Sequence, residues 1–119
     1  MTTLPDLRAE IAAAVTGVGI PCEPYPPDAP SPPCAFVDTV TVNRDQMQYA
    51  STGVASVRLT HLGLRNDRES AGAELEGRVA EVSTLLTGLG CRVVEIVSGL
   101  TQIGGVDLPA VQYAMLVNI

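Results

Sequence analysis

The chain has 119 residues and a mass of 12.4 kDa, a length that fits one domain and leaves no room for two. Hydrophobic residues make up 46%, which excludes an intrinsically disordered chain. Thirteen acidic residues face seven basic ones, all Arg, for a net charge of −6. That balance argues against a protein whose main task is to grip phosphates. The absence of Lys removes Schiff-base chemistry and a Walker-type phosphate lysine.

Residues 3–18 read as an amphipathic helix. Thr3 stands at the cap with Asp6 three residues on, and Pro5 sits in the first turn, where its missing N–H costs little. Leu4, Leu7, Ile11, Val15 and Val18 recur at spacings of three and four, and Gly17 and Gly19 end the run. The N-terminus lacks the basic start and apolar core of a signal peptide, and no apolar run reaches the ~18 residues of a membrane span. A cytoplasmic site of synthesis is expected.

Residues 20–33 hold seven of the nine prolines. Such a segment cannot continue a helix or enter the middle of a sheet. It reads as a stiff, extended crossover; a proline-recognition ligand is the alternative. Cys34 to Val42 is rich in β-branched residues and reads as a strand. Its alternation puts Phe36, Val40 and Val42 on one face with Asp38, and Val37, Thr39 and Thr41 on the other.

Residues 43–53 are polar, and a second strand runs from about Val54 to Leu64. A link of this length exceeds the usual hairpin loop of 2–5 residues. It predicts a contact loop or an extended arm, with Arg44, Asp45, Gln46, Met47, Gln48 and Tyr49 as the contact residues. A mobile solvent loop is the plainer reading.

Asn66 and Glu69 open a second helix, whose core face is Leu75, Val79, Val82 and Leu86, ending at Gly88 or Gly90. Cys91 to Val97 reads as a third strand, residues 98–107 as a turn-rich connection, and residues 110–119 as a final strand. In that last strand Val111, Tyr113, Met115, Val117 and Ile119 alternate with Gln112, Ala114 and Asn118. The order α-β-β-α-β-β, with the strands of each pair consecutive in the chain, predicts an α+β domain. Two helices would cover one face of a four-stranded, mainly antiparallel sheet.

The search for chemistry returns little. His61 is the single histidine and sits mid-strand, where packing is the commoner role. The serines lack a Gly-x-Ser-x-Gly elbow. Cys22, Cys34 and Cys91 show no CxxC spacing, so no metal site is expected; Cys22 and Cys34 flank the proline-rich stretch, and reduced thiols are preferred to a disulfide. A Cys91–His61 pair is left open, since such partners meet only in space. Gly99, Gly104 and Gly105 make no phosphate loop, because no strand-to-helix junction and no Lys accompany them. Glu74 and Glu76 fall on different sides of a helix and form no carboxylate dyad. No cofactor is implied.

Three features together resemble the tail terminator proteins of long-tailed, siphovirus-type bacteriophages. They are the initial helix with its Pro-rich crossover, the strand running Ala55-Ser-Val-Arg-Leu-Thr-His-Leu-Gly-Leu-Arg65 into Asn66-Asp67, and the Ala71–Leu86 helix followed by two last strands. The likeness spans nearly the whole length and rests on element order rather than an invariant motif. Head-to-tail joining proteins and some tail tube proteins share similar layouts. The resemblance implies a non-catalytic hexameric ring of identical subunits in the tail-neck region of a virion, assembled in the host cytoplasm. It implies contacts to the tail tube protein and the head–tail connector, with DNA passing through the lumen unbound and no membrane partner. An acidic lining would repel phosphate and let DNA slide. The competing expectations are a small ligand-binding α+β module and a small enzyme using Cys91 or His61.

Overall fold

The computed structural model describes residues 3–43, 54–63 and 68–118. Helix α1 (Leu4–Gly17) forms as its spacing predicts. The Thr3 hydroxyl accepts a hydrogen bond from the Asp6 amide at 3.2 Å, satisfying one donor of the first turn. Leu7, Ile11, Ala12 and Val15 are the buried stripe, and Gly19, at φ +90°, turns the chain out of the helix.

The sheet has five strands in the order β1-β2-β3-β5-β4. They are β1 (Cys22–Glu23), β2 (Cys34–Asn43), β3 (Val54–Leu62), β4 (Cys91–Ile103) and β5 (Val106–Asn118). The α+β class and the mainly antiparallel pairing are as expected, but the sheet has five strands rather than four, and one pairing is parallel. The proline-rich segment contributes β1, which pairs in parallel with β2 over two residues. At an edge so short a strand tolerates the neighbouring prolines. The Pro32–Pro33 bond is cis.

The faces of β2 differ from the expected alternation. The register with β3 slips between Val37 and Val40, so Asp38 and Thr39 form a bulge. The extra residue resets the period. Val40 and Val42 thereby join Ala35 and Val37 on the helix-covered face, opposite Val57 and Ala55, while Phe36 turns to the other side.

The expected second helix is broken into α2 (Arg68–Gly77) and α3 (Val79–Gly88). Gly77, a weak helix former, precedes the break, and Arg78 stands between the segments at φ −98°, ψ 0°. The Arg78 guanidinium reaches back to the Val18 carbonyl and also holds Glu81 at 3.0 Å. Across the break the core face continues through Ala71, Leu75, Val82 and Leu86.

The largest correction lies in residues 98–107. They are not a loose connection: β4 and β5 run through them and turn at Gly104-Gly105. Both glycines have positive φ, +58° and +80°, the pattern of a two-residue type I′ hairpin. Thirteen residues per strand make a hairpin about 40 Å long. The long axis of the molecule is 50 Å.

Two apolar clusters hold the layers together. The main one lies between the helices and the sheet and centres on Ile11, Leu59, Leu86, Tyr113 and Met115. A smaller one sits on the helix-free face, where Cys34, Phe36, Leu62, Leu108 and Ala110 pack with Ile103 and Val106 from the hairpin tip.

Candidate interaction surface and cavity

The six residues expected to form a contact loop, Arg44, Asp45, Gln46, Met47, Gln48 and Tyr49, lie outside the described residues. The surface that the structure does display is β4. It is the last strand of the sheet, and among the described residues none pairs with its outer edge. Four of its large apolar side chains are exposed: Val94 (51%), Ile96 (40%), Val97 (48%) and Leu100 (56%). The cross-strand register assigns their faces. Ile96 and Leu100 stand opposite Tyr113 and Pro109, on the helix side; Val97 stands opposite Gln112, on the helix-free side. A bulge at Val94 separates these residues from the buried start of the strand at Cys91.

Natural edge strands are usually blunted by Lys, Pro, charge or a bulge. β4 has the bulge at Val94 and the charges Arg92 and Glu95, but it contains no Pro or Lys, and from Ile96 to Ile103 it carries no charge. The opposite edge is treated differently. There β1 covers Ala35 and Phe36. Arg8 then donates to the carbonyls of Val37 at 2.9 Å and Asp38 at 3.3 Å, and to Pro24 at 3.0 Å, while its guanidinium stacks on Tyr25 at 4.5 Å.

The chemically polar part of the molecule is a cavity of about 280 Å³ between the end of α1, the end of β3 and the inner side of α2. Ile20, Pro33, His61, Glu74, Leu75 and Arg78 are among its walls. His61 is 5% exposed, and its Nδ1 has no hydrogen-bond partner among the described residues. Burial, and secondarily Arg78, pushes its pKa down to about 4, so the ring is neutral at pH 7 and a poor base. Beneath the helices, burial pushes the Tyr113 hydroxyl up to about 12, with Arg78 acting in the other direction.

The remaining candidates do not meet. Cys91 pairs with Val117 and His61 with Val111, so six residues of β5, about 20 Å, separate them along the sheet. Burial raises the Cys91 thiol as well, which makes it a poor nucleophile. Cys22 packs toward the helix layer and Cys34 belongs to the cluster on the helix-free face; both are free thiols. Burial pushes Cys22 up to about 12. Among the described residues no three His, Cys, Asp or Glu side chains come together as a metal site would require. Glu76 accepts a hydrogen bond from the Ser98 hydroxyl at 2.7 Å, tying α2 to β4. Among the described residues no helix is long and apolar enough to cross a membrane.

The length of β4 escaped the sequence reading, though a signal for it exists. Gly-Gly between Ile103 and Val106 is a two-residue hairpin turn flanked by β-branched residues. No protein-family model matches the chain, and no curated protein shows significant similarity to its sequence.

Proposed function

We propose that this chain is a structural subunit that assembles with copies of itself into a ring, in the manner of a phage tail terminator. In this role it caps the tail tube, ends tube growth and offers a surface to the head connector. The observation that carries the reading is the open β4 edge with Val94, Ile96, Val97 and Leu100 exposed. A 13-residue strand of this kind invites pairing with another chain. Identical subunits that meet head to tail close into a ring when the rotation between neighbours closes. The element order supports the phage assignment through the resemblance given above, and the net charge of −6 suits a ring whose lumen passes DNA.

Native mass spectrometry across a concentration series tests the reading. A species near six times 12.4 kDa is expected. A monomer at every concentration, together with a melting temperature raised by a small ligand, would instead favour a ligand-binding module using the His61 cavity.

A further inference from the structure

We propose that the cavity beside α2 takes a small organic amine. Its ammonium pairs with Glu74, its apolar body lies against Ile20, Pro33 and Leu75, and a second polar group, a hydroxyl or an amide, bonds the His61 ring. The site is independent of any ring, because one chain supplies these walls. At about 280 Å³ the cavity is far larger than the voids of a packed core and sits at the small end for a ligand site. Ile20 and Leu75 are buried and give it an apolar side.

Charge selects the class of ligand. Glu74 and Arg78 both line the cavity and stand one helical turn apart, a spacing at which opposite charges commonly pair. They do not pair with each other. Arg78 turns to Glu81 through two of its nitrogens and to the Val18 carbonyl. Glu74 has no hydrogen bond or ion pair among the described residues. Glu76, two residues on, is already held by Ser98. With Arg78 matched by Glu81, the unmatched charge on the walls is negative, so an ammonium gains a partner there and an organic anion is repelled. His61 supplies the second contact. Its ring is a buried wall of the cavity, and Nδ1 is closed off without a partner among the described residues, which leaves Nε2 as the position for a ligand. The ring is neutral at pH 7, so it does not oppose a cation, and either tautomer can bond a hydroxyl or amide.

Three phenols of similar shape test this: tyramine, neutral para-ethylphenol and anionic para-hydroxyphenylpropionate. His61 is the single histidine, so a nitrogen-labelled sample gives one set of imidazole signals to follow by NMR. Tyramine should move those signals saturably at pH 7 and bind more tightly than either analogue. Glu74→Gln, at an exposed and unpaired position, should weaken tyramine roughly two- to fivefold and leave para-ethylphenol unchanged. Glu10→Gln removes the same charge from an exposed site on α1, near Cys91 and distant from His61, and should bind tyramine as the wild type does. Imidazole signals unmoved by all three probes would overturn the proposal. So would binding of the anion as tight as that of tyramine, or an equal loss of tyramine in both variants, which would mean diffuse attraction to an acidic chain. Native mass spectra of the same samples read the oligomeric state separately, so failure of the site and failure of the ring are distinguished.

Discussion

At the scale of single residues, the half-buried Arg8 and the buried His61 shape what the protein tolerates. Arg8 joins α1, the proline-rich segment and the edge of β2 through three carbonyls and the Tyr25 ring. Arg8→Ala leaves those carbonyls competing for water and removes the stacked cation. We expect a loss of about 1–3 kcal/mol in urea unfolding, with little recovery in Arg8→Lys, which cannot fork across several acceptors. His61 works through pH. Its folded pKa, about 4, lies below the ordinary 6.5, so between these values the unfolded chain binds the extra proton. Stability is therefore full above about pH 6.5 and falls as pH drops toward 4, by up to about 3 kcal/mol. His61→Gln should flatten that slope in denaturation midpoints measured from pH 4 to 7, while carboxylate titration below remains. An unchanged slope would mean the imidazole is solvated in the folded protein.

At the scale of elements, the β4–β5 hairpin depends on its turn. Gly104 and Gly105 both sit at positive φ, where a Cβ is strained. Gly105→Ala should cost about 1–2 kcal/mol, whereas Gly104→Asn, which tolerates the left-handed region, should be close to neutral. Thermal melts of the two variants distinguish a I′ turn from a loose loop, in which both substitutions would be silent. The junction of β3 with α2 is tight in another way. A Cβ on Gly63 would stand 3.1 Å from the Ala71 Cβ and 3.2 Å from Leu75 Cδ1. Gly63→Val should therefore destabilise by about 1–3 kcal/mol through overpacking, read as a lowered melting temperature. The broken helix shows why the periodicity of residues 68–88 was legible while its continuity was not. The apolar spacing survives the interruption at Arg78, whose guanidinium is drawn to a carbonyl sixty residues away in sequence.

At the scale of the whole molecule, association and charge pull in opposite directions. Each chain carries −6, so a ring of six carries −36, six times that value. Assembly should strengthen with added salt, because screening weakens repulsion between subunits faster than it weakens apolar contact. Sedimentation velocity at low and high ionic strength checks this, and dissociation on adding salt would point to ion-paired joints instead. Val97→Lys places a charge on the exposed edge and should abolish oligomers while leaving the melting temperature of the monomer within about 1 °C, since surface substitutions change stability little.

The amino-acid sequence by itself determined the parts governed by local rules. Helix α1 with its Thr3 cap, the inward stripe of α2 and α3, the alternation of β5 and the α+β class all follow from spacing and capping along contiguous residues. The residue inventory, with one His and no Lys, is likewise read without coordinates. Tertiary structure alone decided what depends on neighbours distant in the chain. The bulge at Asp38 and Thr39 exists because β3 sets the register, and it reverses the faces that alternation assigns to β2. His61 becomes a neutral buried ring because two helical segments close over β3. β4 becomes an open apolar edge because β5 inserts between β3 and β4, so the strand order leaves one side of β4 without a partner. Strand order is a property of pairing across the chain, and no local pattern of residues encodes it.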